Sequence, residues 1–265
     1  MRNSTITLSR SDGVGTITLN RPHRKNALDL TSFKALREAF DEMGADPQVR
    51  AVVLTGAGGD FCAGADLSAE VDPAHPLIAM DVVNATALTV QTFAKPIIAR
   101  VDGDAVGAGW NLALLCDLVV ATPRSRFSQI FARRGLSIDF GGSWILPRLI
   151  GMQQAQRLAL LAEMIGADEA ERLGLVTWIR EVDEIEAFTD GVASRLAAGP
   201  PIAMRQIRAL LTAGSNSSFA EALRAEATAQ TVNFATADAQ EGFAAFAQRR
   251  EPDFTGTWMH SATAT

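Results

Sequence analysis

The chain has 265 residues, 48% of them hydrophobic and 20% charged, with a formal net charge of −6. That balance suits a chain that buries a core, and it excludes both a disordered polyanion and the basic footprint needed to hold nucleic acid or an anionic membrane. Only two cysteines occur, Cys62 and Cys116, outside any CxxC spacing, so a reduced, cytoplasmic setting without disulfides is expected.

In chain order, "ITLSRSDGVGTITL" (6–19) sets two short alternating runs on either side of Asp12-Gly13-Val14-Gly15, the pattern of a β-hairpin. After Pro22, the residues Leu30, Phe33, Leu36, Ala39, Phe40 and Met43 recur at the spacing of one helix face. "VRAVVLTGAG" (49–58) is a continuous apolar run closed by glycines, which predicts a strand buried on both faces. A helical stretch over 77–93 leads to Pro96 and a second buried strand, "IIARVDG". Gly107-Ala108-Gly109 opens a further helix, and "LVVATP" (118–123) returns as a third strand. Strands alternating with helices predict an α/β layer architecture. From about residue 143 helical patterns dominate, "WILPRLIG" and "QQAQRLALLAE" among them, with "LVTWIREV" as a lone strand-like piece. No run has the length of a signal peptide or a membrane span, so no membrane partner is expected. His23, His75 and His260 are scattered, with no metal-ligand spacing, and no metal site is expected.

Two glycine-rich stretches carry the chemistry. "VVLTGAGGDFCAGADL" follows a strand as a dinucleotide-binding loop would, yet that fingerprint, counted from Gly56, needs glycine where Phe61 stands. "GDAVGAGWN" resembles a dehydrogenase glycine pattern, but a chain without tyrosine cannot supply the tyrosine–lysine pair. The other use of such loops is to present backbone N–H groups, because the first turn of a helix has donors without intrahelical partners. Two amides converging on one point make an oxyanion hole. For each loop taken alone, close packing of chain segments is the better explanation.

Five motifs stand in order: "RPHRKNAL" (21–28), "FCAGADL" (61–67), "AKPIIARVDGDAVGAGWNLALLCDLVVAT" (94–122), "GLSIDFGGSWILPRLIG" (135–151) and "ADEAERLGLVTWI" (167–179). Together they resemble the crotonase, or enoyl-CoA hydratase/isomerase, superfamily over residues 5–255. The resemblance implies an α/β fold with a crotonase-like ββα spiral core that binds acyl-CoA (1–200) and a C-terminal helical trimerisation subdomain (201–265). It implies a homotrimer or hexamer, an acyl-CoA substrate of lipid metabolism, and no cofactor beyond the CoA of the substrate itself. Carried over position by position, it makes Ala65 and Ala108 the oxyanion-hole amides. Arg24, Ala27, Ala63, Asp66 and Leu67 become the residues that line the CoA nucleotide and pantetheine.

The resemblance then breaks at the acid/base positions. A hydratase of this family uses two glutamates, and this chain has Asn111 and Phe131 where they would fall. A phenyl ring cannot move a proton, and an amide is a poor substitute for an acid or base. A dehalogenase of the family would need a histidine and a tryptophan where Leu88 and Phe131 stand. Asp139, in "IDFGGSW", resembles the single acid/base of phenylacetate-pathway-like and Δ3,Δ2-enoyl-CoA isomerases. Read by itself it is better explained as a cap for the helix that follows, and the family pattern reverses that preference. The expected activity is therefore double-bond migration in an acyl-CoA ester, with an atypical hydratase or an inert acyl-CoA-binding protein as the alternatives. The segment 68–92 is expected to roof the acyl pocket.

Overall fold

The computed structural model describes residues 5–68 and 76–259. Asp12 and Gly13 both adopt positive φ, 49° and 80°, as a two-residue hairpin turn requires. They close β1 (Ile6–Ser11) antiparallel onto β2 (Val14–Leu19), with Ile6 opposite Leu19. The Asp29 carboxylate accepts from Ser32 N–H at 2.7 Å and so starts α1 (Leu30–Ala45), which buries the expected face of Phe33, Leu36, Ala39, Phe40 and Met43.

β3 (Ala51–Gly56) lies parallel to β2; α2 (Pro76–Gln91) packs on α1, and β4 (Ile97–Val101) returns parallel to β3. The chain continues through β5 (Asp104–Val106), α3 (Ala108–Leu114) and β6 (Leu118–Ala121), the last parallel to β4. β7 (Arg126–Ser128), α4 (Gly142–Leu161), β8 (Ile165–Gly166), α5 (Ala167–Arg172) and β9 (Trp178–Ile179) follow. The six-stranded sheet has the order β1-β2-β3-β4-β6-β9, and a small sheet has the order β5-β7-β8.

The central strands are buried on both faces because alternate side chains enter two separate cores. Val52, Leu54, Ile97 and Ala99 pack towards α1 and α3. Val53, Ile98 and Val120 pack under Ile185 and Ala193 of α6 (Ile185–Ala197). Each such side chain removed from water contributes about 1.5–3 kcal/mol, which is why an uninterrupted apolar run is tolerated here. One expectation needs revision, and one element was not expected. "LVTWIREV" is not a lone piece, since β9 pairs in parallel with β6 at the sheet edge. The small sheet has no counterpart in the sequence patterns, because strands of two or three residues are too short to show alternation. The break between "WILPRLIG" and "QQAQRLALLAE" is real: Gly151, at φ 73° and ψ 163°, kinks α4 into two segments.

After Pro200 come α7 (Pro201–Gly214), α8 (Phe219–Phe234) and α9 (Ala237–Gln248). The Arg50 guanidinium ties this region to the core by donating to Gly199 O at 2.7 Å and Phe254 O at 2.8 Å. These helices leave Ile207, Leu211, Phe219, Leu223, Phe243 and Phe246 exposed.

Candidate active site

Three loops, leaving the carboxyl ends of β2, β3 and β4, are stitched together by their own backbones. After β2, a single 3₁₀ turn (Pro22–Arg24) runs into Lys25 and Asn26, both with positive φ. Asn26 is buried, and its side chain joins two loops. Its Oδ1 accepts from Arg21 N–H at 2.8 Å, and its Nδ2 donates to Ala57 O and Asp60 O at 2.9 and 2.7 Å. Next, Leu28 N–H donates to Gly64 O at 2.8 Å, and Asp66 N–H donates to Leu28 O at 2.9 Å. On the other side, Cys62 N–H donates to Asp104 O and Val106 N–H to Cys62 O, both at 2.9 Å.

This pairing leaves two amides over. In the Leu28–Ala65 bridge the bonds run to Gly64 and Asp66, so the N–H of Ala65 faces away from residue 28. Gly64, at φ 91°, turns the chain out of the Cys62–Ala105 ladder before that ladder can reach Ala65. Ala108 is the first residue of α3, where a helix has no partner to offer its amide. Among the described residues, no protein acceptor takes the N–H of Ala65 or of Ala108. The loops approach so closely that a Cβ on Gly64 would lie 2.7 Å from Val106 O and 3.4 Å from Ala108 N. A Cβ on Gly109 would lie 2.2 Å from Cys62 O. These two glycines are required by close approach, not by turn chemistry alone.

Ala65 and Ala108 line one cavity of about 470 Å³. Arg24, Ala27, Ala63, Asp66, Leu67 and Asp139 line the same cavity, so the residues expected for the oxyanion hole, the CoA path and the acid/base role come together there. Their side chains differ in what they have left to offer. The Asp66 carboxylate is already engaged: Arg21 donates to it at 2.8 Å, and Ser68 donates its hydroxyl at 2.7 Å and its N–H at 3.0 Å. The bonds from Ser68 and Arg21 hold its carboxyl below the usual range. Arg24 is exposed, and among the described residues it has no acid partner. Of the segment 68–92, Ser68 reaches the cavity, while the described part of α2 does not line it. Residues 69–75 lie outside the described residues.

Asp139 does not cap the helix that follows. The N-cap of α4 is Gly141, at φ 81°, with no side-chain cap bond. What Asp139 contributes to the helix start is its backbone oxygen, which accepts from Gly142 N–H at 3.0 Å. Its carboxyl lies in the cavity wall with Oδ1 buried and without a hydrogen-bond partner. Burial pushes the Asp139 carboxyl up to about 6, because the apolar wall penalises the charged form and no donor compensates. A carboxyl that titrates near neutrality in a cavity is suited to taking up and giving back a proton.

The two vacated acid positions have different fates. Phe131 lines the cavity as an apolar wall beside Ile130, Leu136 and Met164. Asn111 is fully buried and absent from the cavity lining; its side chain is held by Gln129 and by the Asp139 backbone. Sequence reasoning did not pick out Arg134, Leu136 or Met164 as cavity residues. Arg134 and Leu136 flank Asp139 in the chain and could have been found from that proximity. Met164 arrives through the β7–β8 pairing, which has no sequence signature. Among the described residues no cluster of three or more acids, histidines and cysteines is placed to hold a metal ion, and no helix is long and apolar enough to cross a membrane.

The enoyl-CoA hydratase/isomerase family model matches residues 9–257. A 1,2-epoxyphenylacetyl-CoA isomerase of Escherichia coli K12 is 34% identical over 250 residues, covering 92% of this chain and 95% of that protein. A crotonyl-CoA hydratase of Syntrophomonas wolfei is 32% identical over 256 residues, covering 94% and 97%. The crystal structure of an enoyl-CoA hydratase from Bacillus anthracis superposes with a TM-score of 0.91 at 30% identity, covering 96% of this chain and all of that one.

Proposed function

Because the chain belongs to the enoyl-CoA hydratase/isomerase family, we propose that it moves a double bond along the acyl group of a CoA thioester, with Asp139 as the single acid/base. One observation carries this reading. Among the described residues two carboxylates line the cavity: Asp66 is occupied by Arg21 and Ser68, while Asp139 has no hydrogen-bond partner and burial pushes it up to about 6. The relative named as a 1,2-epoxyphenylacetyl-CoA isomerase supports isomerisation of a CoA ester as the class of reaction.

The chemistry follows from the groups in place. The thioester oxygen accepts from the N–H groups of Ala65 and Ala108, which stabilise the negative charge that develops when a carbon-bound proton leaves. Each such donor is worth roughly 10²–10³ in rate. The ionised Asp139 removes that proton and becomes a carboxylic acid, while the electron pair spreads over the conjugated enolate. The same acid returns the proton two carbons away, and the double bond is displaced with no net change in composition. Hydration would need a second group to activate water, and Phe131 offers none. Arg24 pairs with the phosphates of CoA at the cavity mouth, with Ala27, Ala63, Leu67 and the backbone of Asp66 lining the rest of that path. The exposed apolar residues of α7–α9 form the face that joins copies into a trimer.

The test is a mass-spectrometric screen of the purified protein against 2-enoyl-, 3-enoyl- and aryl-CoA esters in heavy water. Deuterium gain without addition of water is the expected result. Formation of a 3-hydroxyacyl-CoA as the main product would overturn the assignment.

A further inference from the structure

We propose that Asn111, held in place by Gln129, is the positioning residue that holds the Asp139 carboxyl in the cavity. The inference rests on the reading of Asp139 as the acid/base and goes beyond it, since it assigns a task to two side chains that touch no substrate. Asn111 occupies a position where the two-carboxylate pattern would place an acid, but its amide is turned away from the cavity. Asn111 Nδ2 donates to the backbone oxygen of Asp139 at 2.8 Å, and Gln129 Nε2 donates to Asn111 Oδ1, also at 2.8 Å. Both residues are 0% exposed.

The direction of this chain of bonds is set by the Asp139 carbonyl, which can only accept. The two ends of a carboxamide have nearly the same shape, so packing alone would not decide which end of Asn111 meets Asp139. The carbonyl requires the Nδ2 donor, which leaves Asn111 Oδ1 to accept from Gln129 Nε2, and that second bond holds the amide in place. Gln129 keeps its own Oε1 buried and unpartnered. Such an orphan destabilises a fold, which makes the Nε2 donor the contribution for which the residue fits this place.

The Asp139 loop needs an external hold. Its carboxyl makes no bond through Oδ1, and the next two residues, Phe140 and Gly141, have φ of 50° and 81°. Left-handed backbone at a buried phenylalanine is strained and persists where the surroundings over-determine it. Here the Phe140 ring is plugged against Phe33, 5.8 Å between centroids, and the carbonyl just before it is fixed by Asn111 and by Gly142 N–H. The contact has no slack, because a Cβ on Gly142 would lie 2.5–2.8 Å from the Asn111 amide. Asn111 also sits one turn after Ala108 on α3. One rigid helical turn thus sets the separation between an oxyanion donor and the proton-handling group, the kind of fixed geometry that rate depends on.

The test compares Asn111→Leu, Gln129→Met and Asp139→Asn for kcat, KM and the pH dependence of the rate, on an enoyl-CoA ester that the wild type isomerises. Asn111→Leu should lower kcat by roughly ten- to a hundredfold with KM little changed, and should move the acid midpoint of the rate profile. Gln129→Met should do the same to a smaller extent. A merely structural role would reduce the amount of active protein and leave the midpoint where it was, so a fall in kcat with an unmoved midpoint overturns the proposal. If Asn111→Leu does not fold, Gln129→Met decides by the same two readouts. Wild-type kcat and midpoint in both variants, with Asp139→Asn inactive, would overturn the positioning role alone. Full activity of Asp139→Asn would overturn the acid/base reading and this inference with it.

Discussion

Replacing Asp139 by asparagine should make the protein more stable at neutral pH while removing its activity. Folding carries the Asp139 carboxyl from an ordinary 3.8 up to about 6, with desolvation as the cause. A group displaced in this direction favours the folded state most while it is protonated, and that contribution is lost as pH rises through about 6. At full burial the displacement corresponds to ~3 kcal/mol. Asp139 is half-buried, and water reduces the expected gain to ~1–2 kcal/mol. Below about pH 4 the carboxyl is protonated in both folded and unfolded chains, so the wild type and Asp139→Asn should then be equally stable. The assay is urea unfolding of both proteins at pH 7 and again near pH 4. A variant less stable than the wild type at pH 7, or a difference that does not change with pH, would refute the desolvation argument and with it the tuned acid.

In the rate profile, kcat/KM for double-bond migration should rise with pH to a midpoint near 6, so that moving from pH 7 to pH 5 costs about tenfold. An unshifted carboxyl would lose almost nothing over that range. Arg24→Ala should raise KM for CoA esters by about three- to tenfold with kcat unchanged, an effect that fades in high salt; steady-state kinetics at two ionic strengths checks it. Gly109→Ala places a Cβ 2.2 Å from the Cys62 carbonyl and should destabilise the fold by ~3 kcal/mol, read by urea unfolding, with loss of turnover in the protein that remains folded. Ser218→Ala removes the capping box of α8 and should lower stability by ~1 kcal/mol without altering kcat, since α8 does not line the cavity.

Long, strongly patterned elements were legible from the chain alone. The hairpin turn at Asp12-Gly13, the face of α1 and the doubly buried β3 each depend on local chemistry that sequence displays directly. The three short strands of the second sheet depend on pairing between distant segments, and so does the arrival of Met164 in the cavity. The site shows the same division. Ala65 and Ala108 could be located from motif order, but that their amides are left over follows from where the backbone ladder stops, at Gly64. Asp139 by itself reads as a cap, the family pattern turns it into a site residue, and the geometry gives the cap to Gly141. Asn111 read as a vacated catalytic position, and what it does instead depends on Gln129, eighteen residues further along.

The central claim is that one carboxyl both removes the proton and returns it. It is tested most directly with a 3-enoyl-CoA ester deuterated at the α-carbon, turned over in ordinary water by the wild type and by Asp139→Asn. The wild type should deliver part of the label two carbons away in the product, and Asp139→Asn should lose at least about 10² in rate. Product formed by Asp139→Asn at the wild-type rate, with the label lost to water, would contradict the account.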